Sequence, residues 1–277
     1  MNSKERKIII VPDVHGRTFW KPVVEYVKGH SNAFVVFLGD YLDPYPWEGI
    51  TKEDAIANFE EILEFKDKFP DNVLLLLGNH DFGPYISDDM PACRTDYKHL
   101  YDIKAMFHKN MSKFKLIWYT EQDGQKFLFS HSCLLKKWIE YVNTRQKYDK
   151  LPKIFKKPAN IPDIVDTLNK ALSDNIDSII APLGTVSRSR GGRYPYGSFI
   201  WAHWDELTPY SYEFRGWYQV FGHSQRISYE MEKEIYANGH TDKLAEPIID
   251  KYFACLDCKQ LFTIENGKIV KFIPDRI

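Results

Sequence analysis

Cysteine is scarce in this chain, with Cys93, Cys133, Cys255 and Cys258 the only four among 277 residues. That supply is too thin for a disulfide framework and fits a reducing compartment. Long apolar runs are missing too. None approaches the ~20 residues of a membrane-spanning helix, and the run Ile8 to Val11 behind the basic start is too short for a signal peptide. A cytoplasmic protein with no membrane partner is the expectation. Net charge is also absent: 37 basic residues stand against 38 acidic ones. Such a balance argues against a generic nucleic-acid binder driven by counterion release, although local basic patches remain open. No internal repeat or convincing linker divides the chain, so one domain over residues 1–277 is expected. The sequence is silent on oligomeric state.

What is present begins with strands. Lys7 to Val11, Ala33 to Leu38 and the leucine run of "NVLLLLGNHDFGPYI" are short, apolar and bounded by turn formers, as buried strands are. Between them lie two segments with helical apolar spacing, one from about Thr18 to Lys28 and one from Thr51, a cap paired with Asp54, to about Phe69. Strand, helix, strand, helix, strand predicts an α/β fold with a parallel sheet, whose ligands gather at the carboxyl ends of the strands. Further on, "DYKHLYDIKAMFHKNM" reads as a helix and "KLIWYT" with "KFLFSHS" as a hairpin. Leu134 to about Ile180 reads as helices around the Lys-rich connector "KYDKLPKIFKKPANIP", and "GTVSRSRGGRYPYGS" as a surface loop. "YQVFGHS" ends a strand, and two more strands flank the turn "ENGK" near the C-terminus. "CLDC" has the spacing of a zinc knuckle, but no second pair of Cys or His accompanies it, so its cysteines are read as ordinary strand residues.

Five strand ends carry the same few residue types. They deliver Asp13 and His15, then Asp40 and Asp43, then Asn79, His80 and Asp81, then His131, then His223. Singly, each is explained by a cap, a turn or a satisfied histidine. Together they are what metal and catalytic ligands look like at one sheet edge. Carboxylate, imidazole and amide oxygen suit Mn²⁺, Fe or Zn²⁺. A bridging carboxylate can hold two ions ~3.5–4 Å apart, the arrangement that clamps attacking and leaving oxygens in hydrolysis of a phosphate ester.

The ordered set "DVHG", "GDYLD", "GNHD", "SH" and "GHS" resembles the calcineurin-like metallophosphoesterase superfamily, nearest to the branch of serine/threonine protein phosphatases. The resemblance implies a metallophosphatase-type β-sandwich core flanked by helices, with a helical and aromatic insertion at about 136–212 serving as a cap. It implies two divalent metal ions, with Mn²⁺ expected first and Fe, Zn²⁺ or Mg²⁺ as alternatives. Asp13 and His15 would bind one ion, Asp40 would bridge, and Asn79, His131 and His223 would bind the other. A metal-bridging hydroxide would attack the phosphate, and His80, held cationic by Asp43, would protonate the leaving group. Asp81 is either a partner behind these ligands or a turn residue.

The sequence departs from that family in places. Pro44 and Tyr45 stand where the protein phosphatases place a phosphate-binding arginine. Arg17, or Arg188, Arg190 and Arg193, could replace it, since guanidinium forks match phosphoryl oxygens; the cluster reads equally as a solvated loop. Gln225 stands where many phosphodiesterases have a second histidine, which favours monoesters. The aromatic segment around Trp201, Trp204 and Trp217 either packs the insertion onto the sheet or stacks on substrate. The expected partner is a phosphorylated substrate, either phosphoprotein or nucleotide. The expected function is a phosphomonoesterase, with phosphoserine or phosphothreonine proteins as one substrate class. The alternative is a nucleotide, dinucleotide or nucleic-acid-end phosphatase or phosphodiesterase.

Overall fold

The computed structural model describes residues 6–87, 94–149, 160–207, 214–239 and 245–274. The basic start, Cys93, most of the Lys-rich connector and residues 208–212 of the expected cap lie outside them. The first half of the chain alternates as expected: β1 (Lys7–Val11), α1 (Pro22–Gly29), β2 (Ala33–Phe37), α2 (Lys52–Lys68) and β3 (Val73–Leu76). Helix α1 starts later than its apolar spacing suggests, because Pro22 takes the first helical position, where a missing N–H is no loss. Helix α2 starts at a reciprocal cap. The Thr51 hydroxyl accepts the Asp54 N–H at 3.0 Å and the Asp54 carboxylate accepts the Thr51 N–H at 3.2 Å.

A single turn, α3 (Asn79–Asp81), then leads to α4 (Leu100–Asn110), β4 (Phe114–Lys115), β5 (Ile117–Gln122) and β6 (Gln125–Ser130). Helices α5 (Lys136–Asp149), α6 (Ile161–Asp174) and α7 (Asp177–Leu183) follow. The chain closes with β7 (Trp217–Phe221), α8 (Tyr229–Asn238), β8 (Ile248–Ile249), β9 (Phe253–Cys255), β10 (Phe262–Glu265) and β11 (Lys268–Lys271). Two of its turns are tight hairpins built on residues that tolerate positive φ, Asp123 with Gly124 and Asn266 with Gly267.

Two sheets form, in the orders β11-β10-β1-β2-β3-β4 and β5-β6-β7-β9-β8. Strands β1 to β4 run parallel, as do β6, β7 and β9. Alternation along each strand divides its side chains between two cores. Ile8, Ile10, Val36, Leu74 and Leu76 meet Phe127, Phe129, Val220 and Ala254 between the sheets. Ile9, Val11, Val35, Phe37 and Leu75 pack instead with Trp20, Phe59 and Phe107 beneath the helices. The fold is therefore an α/β sandwich of two sheets flanked by helices. Parallel strands end on the same side, so the loops after β1, β2, β3, β6 and β7 reach a common rim.

Between β6 and β7, Trp138, Ile164, Leu168, Leu183 and Phe199 join the same helix-side core. Asn169 fastens α6 to the second sheet, accepting from Leu116 N–H at 2.9 Å and donating to Ile117 O at 2.8 Å. Cys133, Cys255 and Cys258 are buried free thiols. Burial pushes the Cys258 thiol up to about 12.

Candidate metal centre and active site

Four residues at the rim hold backbone conformations that L-residues adopt reluctantly: His15 (φ 46°), Asp40 (φ 53°), Asp43 (φ 61°) and His223 (φ 67°). Such strain persists where surrounding structure fixes it, commonly at functional sites. Glycines make the crowding possible. A Cβ on Gly78 would lie 2.1 Å from Asp40 Oδ1, and one on Gly222 would lie 1.8 Å from Asp13 Oδ1.

The strand ends bring Asp13, His15, Asp40, Asn79, His131 and His223 together, all buried. Two donor sets result, Asp13–His15–Asp40 and Asp40–His131–His223, each with ligand atoms within 4.8 Å of one another. Asp40 belongs to both. Its Oδ2 lies 3.5 Å from His15 Nε2 and 3.4 Å from His131 Nε2. Asn79 Oδ1 completes the second set, 2.9 Å from His131 Nε2 and 2.8 Å from His223 Nδ1.

The outer atoms of two imidazoles fix which nitrogen faces the centre. His131 Nδ1 lies 2.8 Å from Leu38 O, and His15 Nδ1 lies 2.9 Å from Leu42 O. A carbonyl only accepts, so each Nδ1 is the donor and each Nε2 is turned inward, as backbone carbonyls orient metal-binding histidines. His223 Nε2 is buried with no hydrogen-bond partner.

The electrostatics of this cluster are those of a cation site. Burial raises the Asp13 carboxyl well above the ordinary range, and the Asp257 charge raises it further. Burial lowers His15 and His223 well below the ordinary imidazole value. Burial opposes ionisation of Asp40, yet the His131 and His80 charges hold its carboxyl well below the usual range. His131 is desolvated by burial, but Asp40 and Asp13 outweigh this and raise it to about 9. Protons and divalent cations therefore compete for the same groups. Oxygen and imidazole donors around a shared carboxylate fit a pair of hard or borderline divalent ions.

Beside the donor sets stands His80. Its Nδ1 is 2.9 Å from Asp43 Oδ2, and its backbone N–H donates to Asp40 Oδ1 at 2.9 Å. The Tyr85 hydroxyl donates to the other oxygen of Asp43, and Lys52 Nζ lies 3.6 Å from it. Asp81 is not an exposed turn residue. Its buried carboxylate accepts from Asp40 N–H (2.7 Å), Tyr41 N–H (2.9 Å) and Gly78 N–H (2.8 Å), tying the loop after β2 to the loop after β3. Burial and the Asp40 charge raise its carboxyl to about 7.

The arginines named from the sequence occupy different settings. Arg17 does lie near the centre, but its fork is committed to Glu48, with Nε to Oε2 at 2.8 Å and Nη2 to Oε1 at 3.1 Å. Arg188, Arg190 and Arg193 are exposed on the loop after α7. Arg190 lies near enough for its charge to lower His223, while Arg193 covers the Tyr194 ring at 5.1 Å. Sequence reasoning missed Arg94. Its guanidinium lies over Tyr45 at 3.9 Å, donates to Asp43 O at 3.1 Å and reaches 3.5 Å from His80 Nε2. Nothing in its local sequence, "PACRTD", marks it; only the chemistry of Tyr45, which offers a cation a ring face, hints at such a partner.

The model of the calcineurin-like phosphoesterase family matches residues 6–226. The chain belongs to that family, a class of metal-dependent phosphoric ester hydrolases working with two metal ions. No curated protein matches it. Among solved structures, it is similar to a protein serine/threonine phosphatase from Saccharomyces cerevisiae with similarity to human phosphatase PP5, at 15% identity and a TM-score of 0.49 over 98% of this chain and 81% of that one. It is also similar to Yfce, a phosphoesterase from E. coli (18% identity, TM-score 0.28, 46% of this chain and 57% of that one). A third is a "putative diadenosine tetraphosphatase" (14% identity, TM-score 0.40, 97% of this chain and 93% of that one). Among the described residues, no helix is long and apolar enough to cross a membrane.

Proposed function

We propose that this chain is a dinuclear phosphomonoesterase of the cytoplasm, working with Mn²⁺ and acting on phosphoserine or phosphothreonine in proteins. The observation that carries the reading is the pair of donor sets sharing Asp40, set directly beside the His80–Asp43 pair. In this reading Asp13, His15 and Asp40 hold one cation, and Asp40, Asn79, His131 and His223 hold the other. Two such ions would supply an activated water and neutralise charge on the phosphoryl oxygens.

The chain's own residues do the rest. His80 donates a proton from Nε2 to the departing alkoxide, while Asp43, fixed by the Tyr85 hydroxyl, keeps the ring oriented. Arg94, 3.5 Å from that same Nε2, meets the phosphoryl group in place of the arginine missing at Pro44 and Tyr45. Asp81 holds the two loops in register. Gln225, in the place of a second imidazole, supports monoesters over diesters. The chain acts as one domain, and the described part of residues 136–212 caps the site, with Trp201 edge-on to His223 at 5.9 Å.

A second reading, a nucleotide or dinucleotide phosphatase, has its own support. A pocket lined by Tyr45, Trp47, Gln225, Met231, Ile235 and Lys259 adjoins the centre, and planar groups stack well on such rings. Assays with Mn²⁺ on p-nitrophenyl phosphate and its bis-ester test the first reading: faster monoester turnover supports it and preferential diester turnover contradicts it. Parallel assays on phosphopeptides and dinucleotides separate the two substrate classes.

A further inference from the structure

Asp257, in the middle of "CLDC", has no role in the account above, and its setting demands one. The residue is 3% exposed, and its Oδ1 is buried with no hydrogen-bond partner. A carboxylate with a bare oxygen in the interior is costly to bury unless a positive charge answers it.

The backbone fixes its position. Beyond β9, Leu256 N–H donates to Phe221 O at 2.8 Å, and the Cys255 thiol lies 3.3 Å from Gly222 O and 3.1 Å from Ser224 O. Asp257 is thus carried beside the Gly222–His223 turn. That turn rests on Asp13, whose two oxygens each lie 3.0 Å from His223 N–H. The charge of Asp257 acts on Asp13 and on Tyr45, and the Gln225 amide hydrogen-bonds Asp257. Arg17 offers some compensation, but its guanidinium is engaged bidentately by Glu48.

The two halves of the centre are also unequal. The Asn79 side presents Asp40, His131, His223 and an amide oxygen, whereas among the described residues the Asp13 side presents Asp13, His15 and Asp40. The bare carboxylate stands on the side of the centre that offers fewer donors. We infer that Asp257 is a further acidic member of the cation site on the Asp13 side, oriented by Gln225, and that it tightens the hold on a divalent ion there. The inference rests on the two-cation reading of this centre.

The full chain, Asp257→Asn and Gln225→Leu are stripped with EDTA, titrated calorimetrically with Mn²⁺, and melted with and without it. Wild type takes up two Mn²⁺. Each variant keeps one site at wild-type affinity and binds at the other about 10- to 100-fold more weakly, the usual effect of losing a supporting residue at a metal site. Stripped Asp257→Asn melts no lower than stripped wild type, because a carboxylate that repels Asp13 has gone. Wild-type affinity at both sites in Asp257→Asn overturns the inference. Should that variant fail to fold, Gln225→Leu decides by the same titration, with unchanged affinity again contradictory. A wild-type chain that binds fewer than two Mn²⁺ overturns the two-cation reading itself, and this inference with it.

Discussion

His80 and Asp81 are neighbours in sequence with opposite tasks. His80 turns its ring to Asp43 at the open edge, whereas Asp81 turns its carboxylate inward to three backbone N–H groups. Residue types at strand ends were enough to mark His80; the inward turn of Asp81 was not legible, because either direction is compatible with "GNHD". Arg17 shows a similar limit. Its nearness to Asp13 could be read from the sequence, but its capture by Glu48, far along the chain, could not. Arg94 was illegible for the same reason, since tertiary packing alone brings it beside His80. Arg94→Ala should raise KM for a phosphomonoester about tenfold or more while leaving bound Mn²⁺ unchanged, as befits loss of a charged hydrogen bond to substrate. Steady-state kinetics with metal analysis checks this, and an unchanged KM contradicts the role. The centre should also respond to pH with a definite sign. His131 is raised from 6.5 to about 9 and Asp81 from 3.8 to about 7 in the folded chain. Stability from a raised pKa is complete below the unfolded value and disappears as pH rises through the folded one. Melting temperature in EDTA should therefore fall between about pH 6.5 and pH 9 through His131, after the Asp81 contribution has been lost between pH 3.8 and about 7, and the rise produced by Mn²⁺ should grow across the His131 window as protons cease to compete. Melting curves at three pH values check both slopes.

At the scale of elements, the strands serve as rigid arms. The leucines of β3 are buried on both faces, between the sheets on one side and beneath the helices on the other, so the loop beyond Leu77 is held firmly. Gly78→Ala tests how closely these arms approach. Its Cβ would fall 2.1 Å from Asp40 Oδ1 and 2.7 Å from Asp40 N. A loss of about 3 kcal/mol or more in denaturant unfolding is expected, together with weakened Mn²⁺ binding. Wild-type stability would show that the two loops are not in contact. Thr51→Ala is the contrasting case at the exposed start of α2: about 1 kcal/mol lost with the cap, and Mn²⁺-dependent turnover unchanged. The helices before β7, the first three strands and both hairpins are legible from periodicity and turn residues, whereas α8 (Tyr229–Asn238) is not anticipated. Apolar spacing alone starts α1 too early, because it does not register that Pro22 favours the first helical position. The short strands β4, β8 and β9 carry too few residues for a period to show.

Over the whole molecule, the second sheet could be anticipated only through family resemblance. Its parallel pairs β6–β7 and β7–β9 join strands far apart in sequence, and no local pattern announces such pairing. Yet this sheet brings His131 and His223 to the rim that β1, β2 and β3 furnish with Asp13, Asp40 and Asn79. The site is thus a product of the sandwich as a whole, and bound cations should stabilise all of it by mass action. The central claim, that one set of residues holds two cations while His80 serves the leaving group, is tested most directly by one comparison. Bound Mn²⁺ and p-nitrophenyl phosphate turnover are measured together for wild type and His80→Asn. Two Mn²⁺ per chain in both proteins, with turnover reduced about 10²- to 10⁴-fold in the variant, is the result predicted. Loss of Mn²⁺ from His80→Asn, or turnover equal to wild type, would contradict it.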